Sequence, residues 1–558
     1  MESELLKFIN KFVAFKGNNI ELEVRFGKFK ANKFTENAKF FESNVEIDFF
    51  YRVKNFLDAN PNHFTKTIIN TVEASLQNYS EKRSSFKRVI NIDTKETTYM
   101  KKTSLQTDDL ENLDLRFAVS SETLLSQGQI SNLDWSQSKF TRTKNRLSYM
   151  YNSVGKIDLT IVKESGRANF NKYEIEFELN SNTNVNEIMN VITTLLNISQ
   201  NNFYVTSEAE KKNVLTIYSN LLKTSRFVGA QPETLQKDHL SLLYKELYSV
   251  TDKADGDRFL MIIDPYSNVF FVDNNLNVVL KTDVTCPGFA NCVIDGELIR
   301  DVDESKHLIK ISFYAFDICV FNGVDIRGNN NFLLRERLNA LRSIVEATSI
   351  SERYTIALKK FIYRNVFMGS EIIMSDIANK PYQNDGLIFT PMNEPYPVQK
   401  KWPKLLKWKP AELNTIDFYS KQTGPDTWEL FVQEPGQKDP RTNRQEKSTK
   451  VLFDVAKLCP GLSEQQELTF KTTFNIIDPT TNEPFQSNTV IEYSWNGHQF
   501  VPLRTRWDKT SNPTKHGNFV HVACDIWKNI QNPIEPMTLF KMRNDTTVQT
   551  QSGQGFFF

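Results

Sequence analysis

Histidine and cysteine are both scarce in this chain, with six histidines and five cysteines in 558 residues. Cys286, Cys292, Cys319, Cys459 and Cys524 offer no zinc-type pairing, because Cys286 and Cys292 are too widely spaced and lack a partner pair. The scattered histidines form no metal or triad constellation, so reduced thiols in a cytosolic chain are expected. No apolar run is long enough to span a bilayer, and no membrane partner is expected. The opening MESELLKFINKFVAF places Leu5, Phe8, Ile9 and Phe12 at helical spacing with acids near its start, unlike a signal peptide. Excess charge is missing too: 68 Lys and Arg stand against 67 Asp and Glu, a net of +1. That excludes a general polyanion binder and confines any nucleic-acid contact to local sites. What is present is length and apolar content, since 558 residues allow three or more domains and 39% hydrophobic residues can support their cores.

The most informative stretch is KADGDR, Lys253 to Arg258, which sets a lysine, an aspartate, a glycine and an arginine at the spacing K-x-D-G-x-R. LYSVTDKA before it and FLMIID after it are rich in β-branched and aromatic residues, so Lys253 is expected on a strand edge. A lysine amine held there can attack the α-phosphate of a nucleotide and carry the nucleoside monophosphate as a phosphoamide. Taken alone, the six residues also fit a charged turn. DGEL (Asp295 to Leu298), FYAFDI (Phe313 to Ile318), DGLIF (Asp385 to Phe389), KWK (Lys407 to Lys409) and RWDK (Arg506 to Lys509) follow in order. The separated carboxylates Glu297 and Asp385 suit magnesium beside a triphosphate. Lys407 and Lys409 alternate on one strand face, where both ammonium groups can meet an α-phosphate. Asn496 and Gly497, between two alternating β runs, predict a hairpin that ends just before Arg506.

In this order the motifs resemble those of the covalent nucleotidyltransferases, the superfamily of mRNA capping guanylyltransferases and polynucleotide ligases. The resemblance implies that Lys253 is the nucleophile, that Asp255 orients its loop and that Arg258 contacts the sugar or phosphate. It puts Glu297 near the sugar or metal, Phe316 against the purine, and Asp385 as the metal-linked acid that helps deprotonate Lys253. Lys407 and Lys409 would meet the α-phosphate. The last motif, with Arg506, Asp508 and Lys509, would lie on a small mobile OB-fold barrel, Arg506 and Lys509 reaching the β and γ phosphates.

The first part of the chain carries a separate signal. In ELEVRFG, Glu21, Glu23 and Arg25 share one strand face, and YEIEFEL repeats the device with Glu174, Glu176 and Glu178. Aligned and buried like charges are costly unless cations meet them. Between these strands lie Arg88, Lys101 and Lys102, Arg116 and Glu122, the aligned set Arg142, Lys144 and Arg146, and then Asp158 and Thr160. Charge recurring with period two on successive strands predicts a closed barrel with a polar interior. The set resembles the triphosphate tunnel metalloenzymes, including metal-dependent RNA triphosphatases of fungi and large DNA viruses. By that resemblance Glu21, Glu23 and Glu178 bind the metal and Glu176 orients or activates the attacking water. Arg88, Lys102, Arg142, Lys144 and Arg146 would clamp the triphosphate. Whether Lys101 or Lys102 points inward is left open, because neighbours on a strand face opposite ways.

Removal of a γ-phosphate precedes GMP addition to a 5′-diphosphate end, so the two halves together resemble a poxvirus or giant-virus mRNA capping enzyme over about residues 15 to 530. The expected fold class is α+β and multidomain. It comprises an antiparallel tunnel barrel (1–225), a nucleotidyltransferase domain of antiparallel sheets and helices (226–410), an OB-fold barrel (411–530) and a tail or linker (531–558). Two amphipathic helices, near Val185 to Leu196 and after the capping box Ser207 to Glu210, close the first domain. The expected substrates are 5′-triphosphate RNA and GTP, with Mg2+ or Mn2+. The resemblance also implies the transcription machinery as a partner, and a cytoplasmic setting, the viral factory or virion of a large DNA virus. No glycine-rich S-adenosylmethionine motif follows the small barrel, which makes a cap methyltransferase, separate or downstream, a further expected partner. Two other readings stay open: an ATP-dependent polynucleotide ligase, and a non-catalytic platform for RNA ends or a methyltransferase.

Overall fold

The computed structural model describes all residues except 1, 16–18, 32–38, 78–80, 82, 139, 152–153, 166–170, 181–182, 364, 437–446, 460–470, 511–516 and 543–558. The segment NDTTVQTQSGQG and the three final phenylalanines therefore lie outside the described residues. Two compact units emerge, Met1–Lys212 with Val302–Leu308, and Asn213–Asp301 with Ile309–Phe558, the first division falling within the helix Glu208–Leu222. Among the described residues no helix is long and apolar enough to cross a membrane.

In the first unit the period-two charge pattern builds a closed antiparallel barrel. Its strands are β1 (Ile20–Phe26), β2 (Phe64–Gln77), β3 (Ser84–Asn91), β4 (Thr97–Leu110), β5 (Leu115–Leu124), β6 (Thr141–Tyr151), β7 (Gly155–Glu164) and β8 (Lys172–Leu179). They close in the order β1-β8-β7-β6-β2-β3-β4-β5. Alternation decides which way each residue faces. Leu22, Val24 and Phe26 of β1 point outward and are buried, and Ile175, Phe177 and Leu179 do the same on β8. Helices cover that outer face: α1 (Glu2–Val13) buries Leu5, Ile9 and Phe12, with Phe12 edge-on to Phe117 at 5.2 Å. Next, α2 (Ile47–Ala59) sets Phe49 against Phe26 at 6.2 Å, and α3 (Val185–Gln200) buries Ile188, Ile192, Leu195 and Leu196. Each such side chain contributes about 1.5–3 kcal/mol on leaving water, which holds the wall rigid while the lumen stays polar.

The second unit contains two facing sheets. One has four strands in the order Gln231–Thr234, Lys401–Trp408, Asn384–Pro391, Tyr248–Ala254. The other has seven, and its centre is formed by Asn268–Asp273, Asp257–Ile263, Cys292–Val302 and Leu308–Phe321. Gly386 of DGLIF has φ +151°, and a Cβ there would lie 2.0 Å from the Trp408 carbonyl, so only glycine lets these two strands meet. A third, six-stranded antiparallel sheet holds Thr415–Gln422, Thr427–Glu434, Thr489–Trp495 and Phe500–Thr505 around a core of Ile416, Phe418, Tyr493 and Trp527. The predicted hairpin joins the last two strands through residues 496–499, with Gly497 at φ +95° and Asn496 Oδ1 accepting from the backbone of His498 and Gln499.

Two sequence expectations need correction. Cys459 and Cys524 form a disulfide, bringing together residues 65 apart in sequence, while Cys286, Cys292 and Cys319 are free and buried. Spacing alone could not reveal that pair, because no local motif marks it. The stretch expected to open a tail is instead packed: helix Pro536–Lys541 buries Leu539, Ile534 is buried beside it, and the Trp408 indole donates to the Ile534 carbonyl at 2.8 Å.

Candidate functional site

The barrel encloses a cavity of about 800 Å³ lined by eight acids and nine bases among the described residues. Register explains the acidic face: Glu23 stands opposite Glu178 and Arg25 opposite Glu176 on the β1–β8 pair. Glu21, Glu23, Glu174, Glu176 and Glu178 all line the lumen. Arg25 bridges Glu23 at 2.6 Å and Glu176 at 3.3 Å. Lys102 pairs with Glu21 and, at 3.0 Å, with Glu122, so Lys102 is the inward member of its doublet; Lys101 binds Glu81 at 2.7 Å. Arg142, Lys144 and Arg146 face in together, paired respectively with Glu164, Glu73 and Asp158.

Arg88 is the exception among the expected clamp residues. It points out of the barrel, its guanidinium 5.4 Å from the Trp135 ring, and Lys87 occupies the lumen instead. Strand parity fixes this, since Ser85, Lys87 and Val89 share the inner face. Four further charged lumen residues escaped the sequence reading: Glu73, Arg83, Lys87 and Lys156, the last 2.8 Å from Glu178. Glu73 in TVEASLQ carried the signal, flanked at period two by Thr71 and Ser75, but that segment holds no second charge.

Burial pushes the Glu23 carboxyl up to about 7, with the neighbouring Glu176 adding to the rise. Burial also raises Glu178. For Glu73, burial is outweighed by Lys144 and Lys87, which hold it at about 2. Among the described residues no three His, Cys, Asp or Glu side chains are gathered into a metal-holding group. Glu21, Glu23 and Glu178 nevertheless line one wall as hard oxygen donors, and the raised Glu23 is the kind of carboxyl from which a divalent cation displaces a proton.

The second site is a cleft of about 220 Å³ between the two facing sheets of the other unit. Lys253 sits where the Tyr248–Ala254 strand loses register with Asn384–Pro391, an irregularity that aims its side chain at Asp385. Its Nζ lies 2.8 Å from one Asp385 oxygen, and Lys409 pairs with the other. Lys407 lies beside them, and like Asp385 and Lys409 it adjoins the cleft rather than lining it; burial, then the charges of Lys253 and Lys409, push it down to about 8. Arg258 stands opposite Glu297 in the strand register, and burial pushes the Glu297 carboxyl up to about 7. Phe316 lines the cleft at 5.5 Å from the Arg258 guanidinium.

Arg258 is largely committed elsewhere: it grips buried Asp295 at 3.0 and 2.5 Å and also binds the Ala230 carbonyl. Tyr396 completes that network by donating to Asp295 at 2.6 Å. Asp255 is exposed, and its backbone N–H is anchored on the Gln383 carbonyl at 2.9 Å. The sequence reading missed Asp252, which is buried and collects Lys359, Lys380 and the Tyr382 hydroxyl. Arg506, Asp508 and Lys509 do not line this cleft; they gather around Asp417 at the end of the third sheet.

The family described as mRNA capping enzyme, beta chain matches residues 6–206, and the family described as mRNA capping enzyme, catalytic domain matches residues 179–411. Both domains are those of mRNA capping enzymes. The probable mRNA-capping enzyme of Acanthamoeba polyphaga mimivirus is 26% identical over 499 residues, covering 73% of this chain and 41% of that protein. The mouse mRNA-capping enzyme is 26% identical over 337 residues, covering 57% and 49%. A solved structure of the mimivirus capping enzyme's RNA triphosphatase domain is 17% identical, covers 36% of this chain and 95% of that one, and has a TM-score of 0.27. The chain thus spans about half the length or less of these two relatives. The barrel unit carries the triphosphatase-type domain and the cleft lies in the guanylyltransferase-type domain.

Proposed function

We propose that the chain performs two successive steps of mRNA 5′ capping, with 5′-triphosphate RNA and then GTP as substrates. The observation that carries this reading is the presence in one chain of a closed barrel with a charged lumen and a cleft in which Lys253 faces Asp385 at 2.8 Å. In the barrel, a water oxygen attacks the γ-phosphorus, the bond to the β-phosphate oxygen breaks, and inorganic phosphate leaves a 5′-diphosphate RNA. Glu176 takes up the water's proton while Lys87, Lys102, Arg142, Lys144 and Arg146 meet the charge that spreads over the transferring group. Glu21, Glu23 and Glu178 would hold Mg2+ or Mn2+. When bound, that ion neutralises charge on the phosphate oxygens.

In the cleft, Asp385 accepts a proton from Lys253, whose Nζ attacks the GTP α-phosphorus. The bond to the β-phosphate oxygen breaks, pyrophosphate departs, and a lysyl-GMP phosphoamide remains. Lys407 and Lys409 lie where the α-phosphate charge grows, and Phe316 offers a face for the guanine. A terminal oxygen of the diphosphate RNA then attacks the same phosphorus, the N–P bond breaks, and the proton returns to Lys253. The third sheet would act as an OB-type lid carrying Arg506, Asp508 and Lys509. The likeness to the mimivirus protein favours a cytoplasmic or virion setting; the transcription machinery and a cap methyltransferase are the partners that a capping role implies.

The test is incubation with α-labelled GTP or ATP and magnesium, followed by denaturing electrophoresis. Label from GTP alone, lost in Lys253→Ala, is expected. Label from ATP alone would move the chain to the ligases, and no label from either would favour a platform.

A further inference from the structure

Arg506 and Lys509 share one buried acid. Asp417, on the strand Thr415–Gln422, is 5% exposed and takes Arg506 Nη1 on its two oxygens at 3.3 and 3.0 Å, while Lys509 pairs with the same Oδ2. The other edge of Arg506, Nε and Nη2, grips Asp508 at 3.0 and 3.1 Å. The backbone beneath Asp417 is fixed: its N–H donates to Asn518 Oδ1 and its carbonyl accepts from Asn518 N, both at 2.7 Å. The anion is therefore anchored on a core strand. Its two cationic partners lie just past the end of the strand Phe500–Thr505, Lys509 within the four-residue helix Trp507–Thr510. The two-oxygen carboxylate, held between a guanidinium and an ammonium, takes the same kind of charge-assisted contacts that a phosphate group takes from such side chains.

We propose that Asp417 is a built-in stand-in anion that keeps Arg506 and Lys509 paired in the nucleotide-free protein and is displaced by the terminal phosphates of the nucleoside triphosphate, or by pyrophosphate. The inference rests on the assignment of Arg506 and Lys509 to those phosphates. In the empty state the two cations are neutralised and held together in one conformation, which lowers the ordering cost when phosphate arrives. The same competition assists release, because Asp417 recaptures both cations as pyrophosphate departs. A network serving only to brace the turn after the strand would make none of these contacts exchangeable.

Two measurements separate the possibilities. The first is the concentration of pyrophosphate that halves covalent GMP labelling of Lys253, in the full chain and in Asp417→Asn, Asp417→Glu and Arg506→Ala. Asp417→Asn is expected to be inhibited at pyrophosphate at least about threefold lower, the scale of one partly exposed ion pair. Asp417→Glu is expected to return toward wild type, and Arg506→Ala to need more pyrophosphate. GMP transfer from isolated lysyl-GMP protein to diphosphate RNA, where pyrophosphate is absent, is expected to be unchanged in Asp417→Asn. Unchanged or weaker inhibition of Asp417→Asn, alongside weakened Arg506→Ala, would overturn the stand-in role. Unchanged inhibition of Arg506→Ala would instead overturn the phosphate assignment beneath it. The second measurement needs no variant: carbodiimide coupling should join Asp417 to Lys509 in the wild-type chain, and saturating pyrophosphate should suppress that cross-link. A cross-link indifferent to pyrophosphate contradicts displacement.

Discussion

Lys253 and Lys409 share the carboxylate of Asp385, Lys253 at 2.8 Å from one oxygen and Lys409 on the other. One acid thus balances two amines; in the proposed mechanism Asp385 would take the proton of Lys253 and Lys409 would meet the phosphate. Asp385→Asn removes the acceptor and leaves two ammonium groups facing a neutral amide. Lysyl-GMP formation in that variant is expected to slow by about 10²–10⁴-fold, the usual range for a lost general base. The rate of label incorporation from α-labelled GTP checks it; a loss under tenfold would mean that Asp385 is not the proton acceptor.

Lys407 is expected to set an alkaline limit on the proposed guanylylation. Its value falls from 10.5 to about 8 through burial and the charges of Lys253 and Lys409. Between about pH 8 and 10.5 the unfolded chain holds more protons at this site than the folded one, so its contribution to stability improves as pH rises through that window and worsens as pH falls. Phosphate binding runs the other way, because the ammonium form is what attracts the nucleotide. Accordingly kcat/KM for guanylylation is expected to fall above about pH 8, and Lys407→Arg to move that decline to higher pH. A profile identical in wild type and Lys407→Arg would assign the decline to another group.

Lys87 and Arg88 predict opposite outcomes from neighbouring positions. Lys87 lines the lumen beside Glu73 at 3.8 Å, and Arg88 lies against Trp135 outside. Lys87→Ala is expected to lower γ-phosphate release from triphosphate RNA by about 10²-fold or more, as removal of one positioned charge-stabilising donor does. Arg88→Ala is expected to stay within about threefold of wild type, its loss limited to a half-buried cation–π contact outside the lumen. Phosphate release assayed on both variants decides between them.

The barrel was legible because the charge period is two on several successive strands, and a period that strict leaves one face for the lumen. Legibility stopped at parity: FKRVINI holds adjacent cations, and without its register nothing in the segment says whether Lys87 or Arg88 faces in. Lys253, Glu297, Phe316, Asp385, Lys407 and Lys409 could be named in advance because their motifs follow one another in the order of a known family; their roles came from that resemblance. Asp252 and Tyr396 were not named, and Asp295 was named only as part of DGEL, because the partners Lys359, Ala230 and Arg258 are distant in sequence and only folding brings them together. The Cys459–Cys524 disulfide and the docking of Ile534 and Leu539 were hidden for the same reason.

Leu539 tests that docking directly. It is fully buried with Ile534, Trp408 and Phe367 in the core of the four-stranded sheet. Leu539→Ala is expected to cost about 2–5 kcal/mol, the usual range for truncating a buried leucine, read from denaturant unfolding of the full chain. A change below about 0.5 kcal/mol would mean that the segment is an undocked tail.

The most direct test of the two-site account is to measure phosphate release from γ-labelled triphosphate RNA and GMP labelling of Lys253 on the same preparations of wild type, Glu23→Ala and Lys253→Ala. The account predicts that Glu23→Ala loses phosphate release and keeps the lysyl-GMP label, while Lys253→Ala does the reverse. Loss of both activities in a folded Glu23→Ala protein would contradict it.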